Sequence, residues 1–142
     1  MEPEVASFKV LLFSGQDPRL EPYKSLIFSR FLHSLRSGNY WFRKIDNRAY
    51  YTAYHQYLER LLSRQGCAVR VAVLTDDPDV AVGWSIARPN VLDYVFVKRD
   101  GRRQGIGRAL LPESFAFVSN LTSLGELLRE KHFPSVKFDP FQ

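Results

Sequence analysis

Residues 94–111 read YVFVKRDGRRQGIGRALL, and this stretch decides the fold. It begins with a β-type run over Tyr94–Val97 and continues as a basic loop with three glycines. It ends in residues that predict a helix from about Gly107. The first turn of a helix has N–H groups without intrahelical partners, and glycines let that backbone approach a ligand closely. The pattern therefore predicts a site for an anion such as a phosphate group.

Two familiar nucleotide-binding patterns do not fit this loop, and a plain reading stays open beside the anion site. The dinucleotide fingerprint, read from Gly105 and Gly107, needs a third glycine at position 110, which is leucine. No GKS or GKT triplet follows, so the loop is not a P-loop. The open alternative is an ordinary surface loop whose arginines are solvated.

The whole chain sets limits on this site. It has 142 residues, 45% of them hydrophobic and 25% charged, which is typical of one globular domain. No apolar run approaches the ~18 residues of a membrane span, and the acidic start Met1–Glu4 is unlike a signal peptide. One cysteine and three scattered histidines predict neither a disulfide framework nor a metal site. The net charge of +5 indicates an anionic partner and favours neither nucleic acid nor a phosphorylated cofactor.

Hydrophobic periodicity and turn residues predict one mixed α/β domain over residues 1–142, with its two longest helices in the first half and most strands in the second. The predicted strands are Phe8–Phe13, Ala68–Leu74, Val80–Ala87, Leu92–Val97, Phe115–Ser119 and Val136–Phe138. The predicted helices run from Glu21 to about Leu35, from about Arg48 to Arg64, from about Gly107, and from Ser123 to about Lys131. Gly66 is predicted to cap the second helix, and Ser123–Glu126 has the spacing of a capping box.

The loop resembles the acyl-CoA loop of one enzyme family. Residues 102–107 (RRQGIG) match the (Gln/Arg)-x-x-Gly-x-(Gly/Ala) pattern of the GNAT family of N-acetyltransferases. Their surroundings are similar too: Val82–Trp84 resembles the strand before the loop, Leu92–Val97 the strand entering it, and Arg108–Leu111 the helix after it. The resemblance extends over about residues 68–111.

The resemblance implies a GNAT-like fold with acetyl-CoA as cofactor. It implies that residues 1–66 form the acceptor side and residues 67–142 the sheet and helices that bind acyl-CoA. It also implies that the strand entering the loop splays from its neighbour and leaves backbone groups free for the pantetheine arm. The implied cofactor-binding residues are Val95, Val97, Arg102, Arg103, Gln104, Gly105, Ile106, Gly107, Arg108 and Asn120.

Acetyl transfer to an amine needs a neutral amine, a polarised thioester carbonyl and a proton for the departing thiolate. Asp93 is the candidate base, because it alternates with Val95 and Val97 and because family members use carboxylates on this strand. The open alternative is a structural role for Asp93, either capping the hairpin or pairing with Arg88. The backbone N–H near Val95 is the candidate donor to the carbonyl oxygen.

The candidate acid departs from the family pattern. Many members carry an asparagine after the next strand and a tyrosine seven residues later. Asn120 is suitably placed, but the seventh residue after it is Leu127, and no tyrosine follows Tyr94. The family's closing hairpin is also missing or reduced. Ser119, Thr122, a tyrosine from the N-terminal half, or solvent are the candidates for the proton donor.

The N-terminal half supplies the candidate acceptor side, and Tyr40, Trp41 and Arg43 are its predicted acceptor-binding residues. They lie in a loop with too little apolar periodicity for core packing, and aromatic and cationic side chains together can stack on a nucleotide. Tyr50, Tyr54 and Tyr57 have the helical spacing of core residues and are interpreted mostly as packing.

Two functions compete at this stage. The favoured one is a cytoplasmic acyl-CoA-dependent N-acyltransferase acting on an amine, with a small amine, a protein amine or a nucleobase as acceptor. Some small phage-type relatives of this fold modify DNA bases, which keeps nucleic acid open as a partner. The alternative is a non-catalytic module that binds nucleic acid or a protein. An open sheet edge also leaves a homodimer open.

Overall fold

A computed structural model describes residues 7–101 and 104–142 of the chain, with the side chain of Asp100 left out. It contains one six-stranded mixed sheet in the order β1-β2-β3-β4-β5-β6. The strands are β1 Phe8–Ser14, β2 Ala68–Leu74, β3 Ala81–Arg88, β4 Val91–Val97, β5 Phe117–Val118 and β6 Lys137–Phe138. The first four strands pair antiparallel, whereas β5 is parallel to β4 and β6 is parallel to β5. The predicted mixed α/β fold class is confirmed.

Helices cover both faces of this sheet. They are α1 Glu21–Ser37, α2 Asn47–Ser63, α3 Ile106–Ala109 and α4 Ser123–His132. The long helices α1 and α2 pack on the face that carries Val71, Trp84 and Ile86, and form the main core there. The short helix α3 packs Ile106 and Leu110 on the opposite face. Alternation of side chains along each strand explains why one sheet can bury both faces.

The first helix and the two strands after the glycine loop are short. The helix predicted from about Gly107 begins at Ile106 and ends after four residues. Pro112 accounts for its end, because a proline disfavours the helical conformation of the residue before it and lacks an N–H donor. The strands predicted over 115–119 and 136–138 each keep only two residues, so the C-terminal part of the sheet is smaller than predicted.

Both predicted helix caps differ from the observed ones. Helix α2 ends on Arg64 in an extended conformation, and Gly66 takes its positive φ of 80° two residues later, in the turn into β2. Helix α4 is capped by Thr122, whose hydroxyl accepts a hydrogen bond from the Gly125 N–H at 3.0 Å. The capping residue therefore lies one position before the predicted Ser123, and threonine is, like serine, among the preferred N-cap residues.

Residues 7–101 and 104–142 include no helix that is both long and apolar enough to cross a membrane. They also include no group of three or more histidine, cysteine, aspartate or glutamate side chains that could hold a metal ion together. The single cysteine, Cys67, is buried, and burial raises the pKa of its thiol to about 11.

Candidate functional site

Strand β4 has one edge that is paired only at its start. Its β3 side is paired from Val91 to Val97, but its β5 side is paired at Val91 and Leu92 alone. The Lys98 N–H donates to the Val82 carbonyl at 2.9 Å, and paired residues alternate along an antiparallel ladder. The backbone groups of Val95 and Val97 therefore point away from β3, toward the side where β5 has ended.

A β-bulge marks the point where β4 and β5 separate. Ile86 pairs with Tyr94 and Ala87 pairs with Leu92, so Asp93 is an extra residue in β4. The Leu92 carbonyl accepts a hydrogen bond from the Ser119 N–H at 3.1 Å, which is the last backbone bond from β5. The bulge thus fixes where ladder pairing stops and where the free edge begins.

The glycine loop runs directly from this free edge. Gly105 has a φ of 79° and precedes α3, and a Cβ at this position would meet no atom within 4 Å. The first bond of the helix is the Ala109 N–H to the Gly105 carbonyl at 3.1 Å, which leaves the amides of residues 106–108 without intrahelical partners. The side chain of Ile106 is buried on the sheet and anchors the loop. The loop therefore presents backbone on its outer side.

The predicted cofactor-binding residues divide into three groups. Val95 and Val97 lie on the free edge, and Asn120 follows β5 directly across from it. Residues 104–108 form the loop and the start of α3, with Gln104, Gly105 and Arg108 exposed and Ile106 buried. Arg102 and Arg103 lie outside the described residues. Helix α3 has four residues, which is too short for a large helix dipole, so unpartnered amides are what it offers an anion.

Asp93 is buried in a polar network at the bulge. Its side chain is fully buried and accepts two hydrogen bonds from Arg88, at 2.9 and 2.8 Å. Ser119 donates its hydroxyl to the same carboxylate at 2.6 Å. The hydrogen bonds between Arg88 and Asp93 raise the pKa of Arg88 above its ordinary value. The pairing of Asp93 with Arg88, which the sequence left open as the alternative, is present.

Asn120 connects this network to a tyrosine of α2. Its side-chain N–H groups lie 3.2 Å from the Asp93 carbonyl, 3.0 Å from the Ser119 hydroxyl and 2.8 Å from the Tyr57 hydroxyl. A carbonyl oxygen can only accept, so the amide nitrogen of Asn120 must face β4. The same nitrogen then donates to the Tyr57 oxygen. A hydroxyl from the N-terminal half is thereby held beside the free edge of β4.

A cavity of about 330 Å³ opens at this tyrosine. Its lining residues are Ala53, Tyr54, Tyr57, Asn120 and Pro140. Desolvation of its phenol raises the pKa of Tyr54. The cavity is therefore formed by one face of α2 and by the segments around β5 and β6, next to the point where β4 and β5 part.

The predicted acceptor-binding residues lie elsewhere. Tyr40 and Trp41 are 57% and 73% exposed, and neither lines the cavity described above. Lys44 lies over both rings, and Arg43 lies over Tyr40 at 5.9 Å. These residues form an exposed aromatic and cationic cluster. Phe42, the residue after Trp41, connects this cluster with the cavity, because its ring contacts the ring of Tyr54.

A larger groove of about 710 Å³ lies between α1 and α2, and it is separate from this network. Phe28 and His55 line it with their rings 4.8 Å apart, and His55 also contacts the Glu59 carboxylate at 3.2 Å. The groove contains no residue of the glycine loop and none of the Asp93 network. Its size alone does not connect it with the chemistry of the loop.

Tyr57 is the residue that sequence reasoning did not single out. The helical spacing correctly placed it among packing residues, since its ring stacks on Phe31 with centroids 6.3 Å apart. Nothing in that spacing shows that its hydroxyl meets Asn120, which lies 63 positions later. The only pointer was the missing tyrosine after Asn120, which required another donor.

Comparisons with solved structures match the overall fold of the chain. A ribosomal-protein-alanine N-acetyltransferase from Brucella melitensis superposes with a TM-score of 0.52 at 19% identity, over 89% of each chain. An acetyltransferase-like protein from Pyrococcus furiosus gives a TM-score of 0.58 at 16% identity, over 94% of this chain and 80% of that one. The chain has the fold of the GNAT N-acetyltransferases.

A third solved structure carries a ligand in its name. The aminoglycoside N-acetyltransferase AAC(6')-Iy, in complex with a bisubstrate analogue that contains CoA, gives a TM-score of 0.50 at 14% identity. The match covers 94% of this chain and 92% of the AAC(6')-Iy chain. No protein-family model matches the chain, and no curated protein matches its sequence. At these identities the likeness establishes the GNAT fold, as the loop motif had led us to expect.

Proposed function

We propose that this chain is an acyl-CoA-dependent N-acyltransferase that moves an acetyl group directly from CoA to an amine. The observation that carries the proposal is the one-sided pairing of β4 next to an exposed glycine loop. A strand edge with free N–H and C=O groups can pair with the amides of a pantetheine arm, as it would with another strand. The loop amides and Arg108 then suit the anionic pyrophosphate.

The residues present fit this cofactor. Open space beside Gly105 and the exposed backbone of the loop leave room for a phosphate group. The free edge at Val95 and Val97 would hold the pantetheine arm, and the Val95 N–H would bind the carbonyl oxygen of the acyl group. Acyl-CoA supplies an activated acyl group, whereas the chain supplies binding, orientation and proton donors.

Asp93 and Ser119 are proposed to position the site, not to exchange protons with the acceptor. A general base must reach the proton that it removes. Asp93 is fully buried, and its carboxylate is held by Arg88 and Ser119. The Ser119 hydroxyl already donates to that carboxylate. Together they fix the bulge and hold Asn120 against the edge of β4.

The proposed acceptor is a primary amine. The names of two similar structures, a ribosomal-protein-alanine and an aminoglycoside N-acetyltransferase, are those of enzymes that acetylate amines. A peptide N-terminus and an aminoglycoside amine therefore come first among test acceptors. A cytoplasmic location, a phage-type origin and a homodimer stay predictions from the sequence.

A second candidate function is binding of nucleic acid without catalysis. The exposed cluster of Tyr40, Trp41, Arg43 and Lys44 favours it, because aromatic rings next to cations bind single-stranded bases. Salt-sensitive binding of an oligonucleotide by a protein with no affinity for CoA would support this candidate over the enzyme.

Calorimetric titration of acetyl-CoA and CoA tests the enzyme proposal. Gly107→Glu adds negative charge to the loop, and Gly107→Ala is its control because a Cβ there meets only the Val97 side chain, at an ordinary 3.6 Å. We expect wild type and Gly107→Ala to bind alike, and Gly107→Glu to bind at least about tenfold more weakly, since like charges repel. Wild-type protein without affinity for CoA would exclude the proposal.

An acceptor screen follows the binding test. Each protein is incubated with acetyl-CoA and with a peptide that has an N-terminal alanine, neamine or an oligonucleotide. The masses of the products are then measured by mass spectrometry. The proposal expects one acetyl group on one of these acceptors with wild type and Gly107→Ala, and none with Gly107→Glu.

A further inference from the structure

We propose that Tyr57, on α2, donates the proton that the departing CoA thiolate takes up. This inference rests on the proposed acyltransferase function and names the acid that the sequence pattern lacks. The juxtaposition that carries it is the 2.8 Å hydrogen bond between Tyr57 and Asn120, beside the free edge of β4.

The hydrogen-bond directions leave the Tyr57 proton available. Asn120 must donate to the Asp93 carbonyl, and its amide nitrogen also donates to the Tyr57 oxygen. Tyr57 is thus the acceptor in this bond, and its own O–H is not used by it. Tyr57 lines the cavity beside Asn120, and in this assignment an incoming group receives the proton there.

The position of the hydroxyl is fixed from both sides. The Tyr57 ring stacks on Phe31 at an interplanar angle of 19° and meets Tyr54 edge-on, with centroids 5.9 Å apart. Asn120 holds the oxygen, and Asn120 is itself held by the Asp93 carbonyl. The Val95 N–H lies on the same edge of β4, two residues after Asp93. A donor to the acyl oxygen and a donor to the leaving sulfur would therefore stand side by side.

Other hydroxyls near the site have different partners. Ser119 donates to the Asp93 carboxylate, and the Thr122 hydroxyl caps α4. Tyr50 donates to the Leu32 carbonyl, and Tyr94 shares a hydrogen bond with Ser34. Tyr54 lines the same cavity without contacting Asn120 in any hydrogen bond found among the described residues, and it is the rival donor.

The transfer step balances with Tyr57 in this role. The acceptor nitrogen forms a bond to the acyl carbon, and the bond from that carbon to sulfur breaks with its electron pair on sulfur. The Tyr57 O–H gives its proton to the sulfur. The acceptor nitrogen loses one proton, which returns to the Tyr57 oxygen through water in the cavity. The products are an amide and a free thiol, with no oxidant or reductant involved.

The test uses Tyr57→Phe, which removes the hydroxyl and leaves the ring. Asn120 keeps its contacts with the Asp93 carbonyl and with Ser119, so the fold should survive, and denaturant unfolding checks this. CoA is bound to each protein, and its thiol is titrated by the ultraviolet absorbance of the thiolate. A hydroxyl donor stabilises the thiolate, so we expect the midpoint in Tyr57→Phe to lie about one pH unit higher than in wild type.

Kinetics with an acceptor from the screen give the second readout. Tyr57→Phe is expected to lower kcat by about 100-fold or more, with little change in the KM for acetyl-CoA. Tyr51→Phe is the matched control, because it lies on the same helix and contacts Arg36. It is expected to behave as wild type in both measurements.

The outcomes separate the two proposals. A wild-type protein that binds no CoA overturns both of them. Binding of CoA together with an unchanged thiol titration in Tyr57→Phe overturns the assignment of Tyr57 alone. A shift that appears in Tyr54→Phe and not in Tyr57→Phe transfers the role to Tyr54 and also overturns the assignment.

Discussion

The two sides of the glycine loop are built very differently. Before it, in the N-terminal region of residues 8–97, four strands of seven or eight residues carry two helices of 17 residues each. After it, in the C-terminal region of residues 104–142, two strands have two residues each, and α4 buries none of its side chains. Leu124 and Leu127 of that helix are 52% and 63% exposed.

The difference shows how the two regions divide the work. The N-terminal region has the larger core, which includes Phe31 and Trp84 at 0% and 1% exposure, and it supplies a rigid strand edge. The C-terminal region buries fewer apolar side chains, among them Val118 and Val136, and adds the polar contacts of Ser119 and Asn120 with Asp93. It also supplies the other side of the cavity. Free energy of folding comes mainly from the first region, whereas the second determines which groups reach the free edge.

The largest expected effect tests that division directly. Phe31→Ala removes a fully buried ring from the N-terminal core and should lower the free energy of unfolding by about 3–5 kcal/mol. Leu127→Ala, on the exposed face of α4, should change it by less than about 0.5 kcal/mol. Urea unfolding followed by circular dichroism compares the two. Similar losses of unfolding free energy in the two variants would mean that α4 is covered in solution. The two regions would then contribute similarly to the free energy of folding.

The sequence predicted the N-terminal region well because its signals are local. Runs of β-branched residues gave β2 with its observed bounds, and helical periodicity placed α2 one residue from its observed bounds at both ends. Periodicity of this kind is imposed by burial of one face, so it is strong wherever a large core exists. The C-terminal strands bury little, and their predicted bounds were accordingly too long.

The glycine loop was predictable as a motif, but the polar network around it was not. The bulge at Asp93 depends on pairing between β3 and β4, which no local pattern encodes. The contact between Tyr57 and Asn120 joins a helix of the first half to a loop of the second. Helical spacing predicted that the Tyr57 ring packs in the core, but it contains no information about the hydrogen-bond partner of the Tyr57 hydroxyl.

A smaller effect is expected at Arg88, where the two regions meet. This side chain, 14% exposed, binds the buried Asp93 and donates to the Gln142 carbonyl at 2.9 Å. Arg88→Met leaves Asp93 with a charge and no cation, which should cost about 3 kcal/mol of unfolding free energy. Arg64→Met is the control, since exposed Arg64 donates to the same carbonyl at 3.3 Å without touching Asp93. Equal, small costs for both would show that the ion pair does not join the regions.

Two glycines give the smallest expected effects and compare the regions at the level of one methyl group. At Gly15, where β1 meets α2, a Cβ would lie 2.0 Å from the Leu62 carbonyl oxygen, so Gly15→Ala forces backbone to move and should cost about 1–3 kcal/mol. Gly107→Ala has room and favours helix, so it should be neutral or stabilise by up to about 1 kcal/mol. Thermal unfolding measures both. A destabilising Gly107→Ala would mean that the backbone of the glycine loop is as closely packed as that of the core. The loop would then not be open to a ligand, and the proposed function, which depends on an open loop, would be excluded.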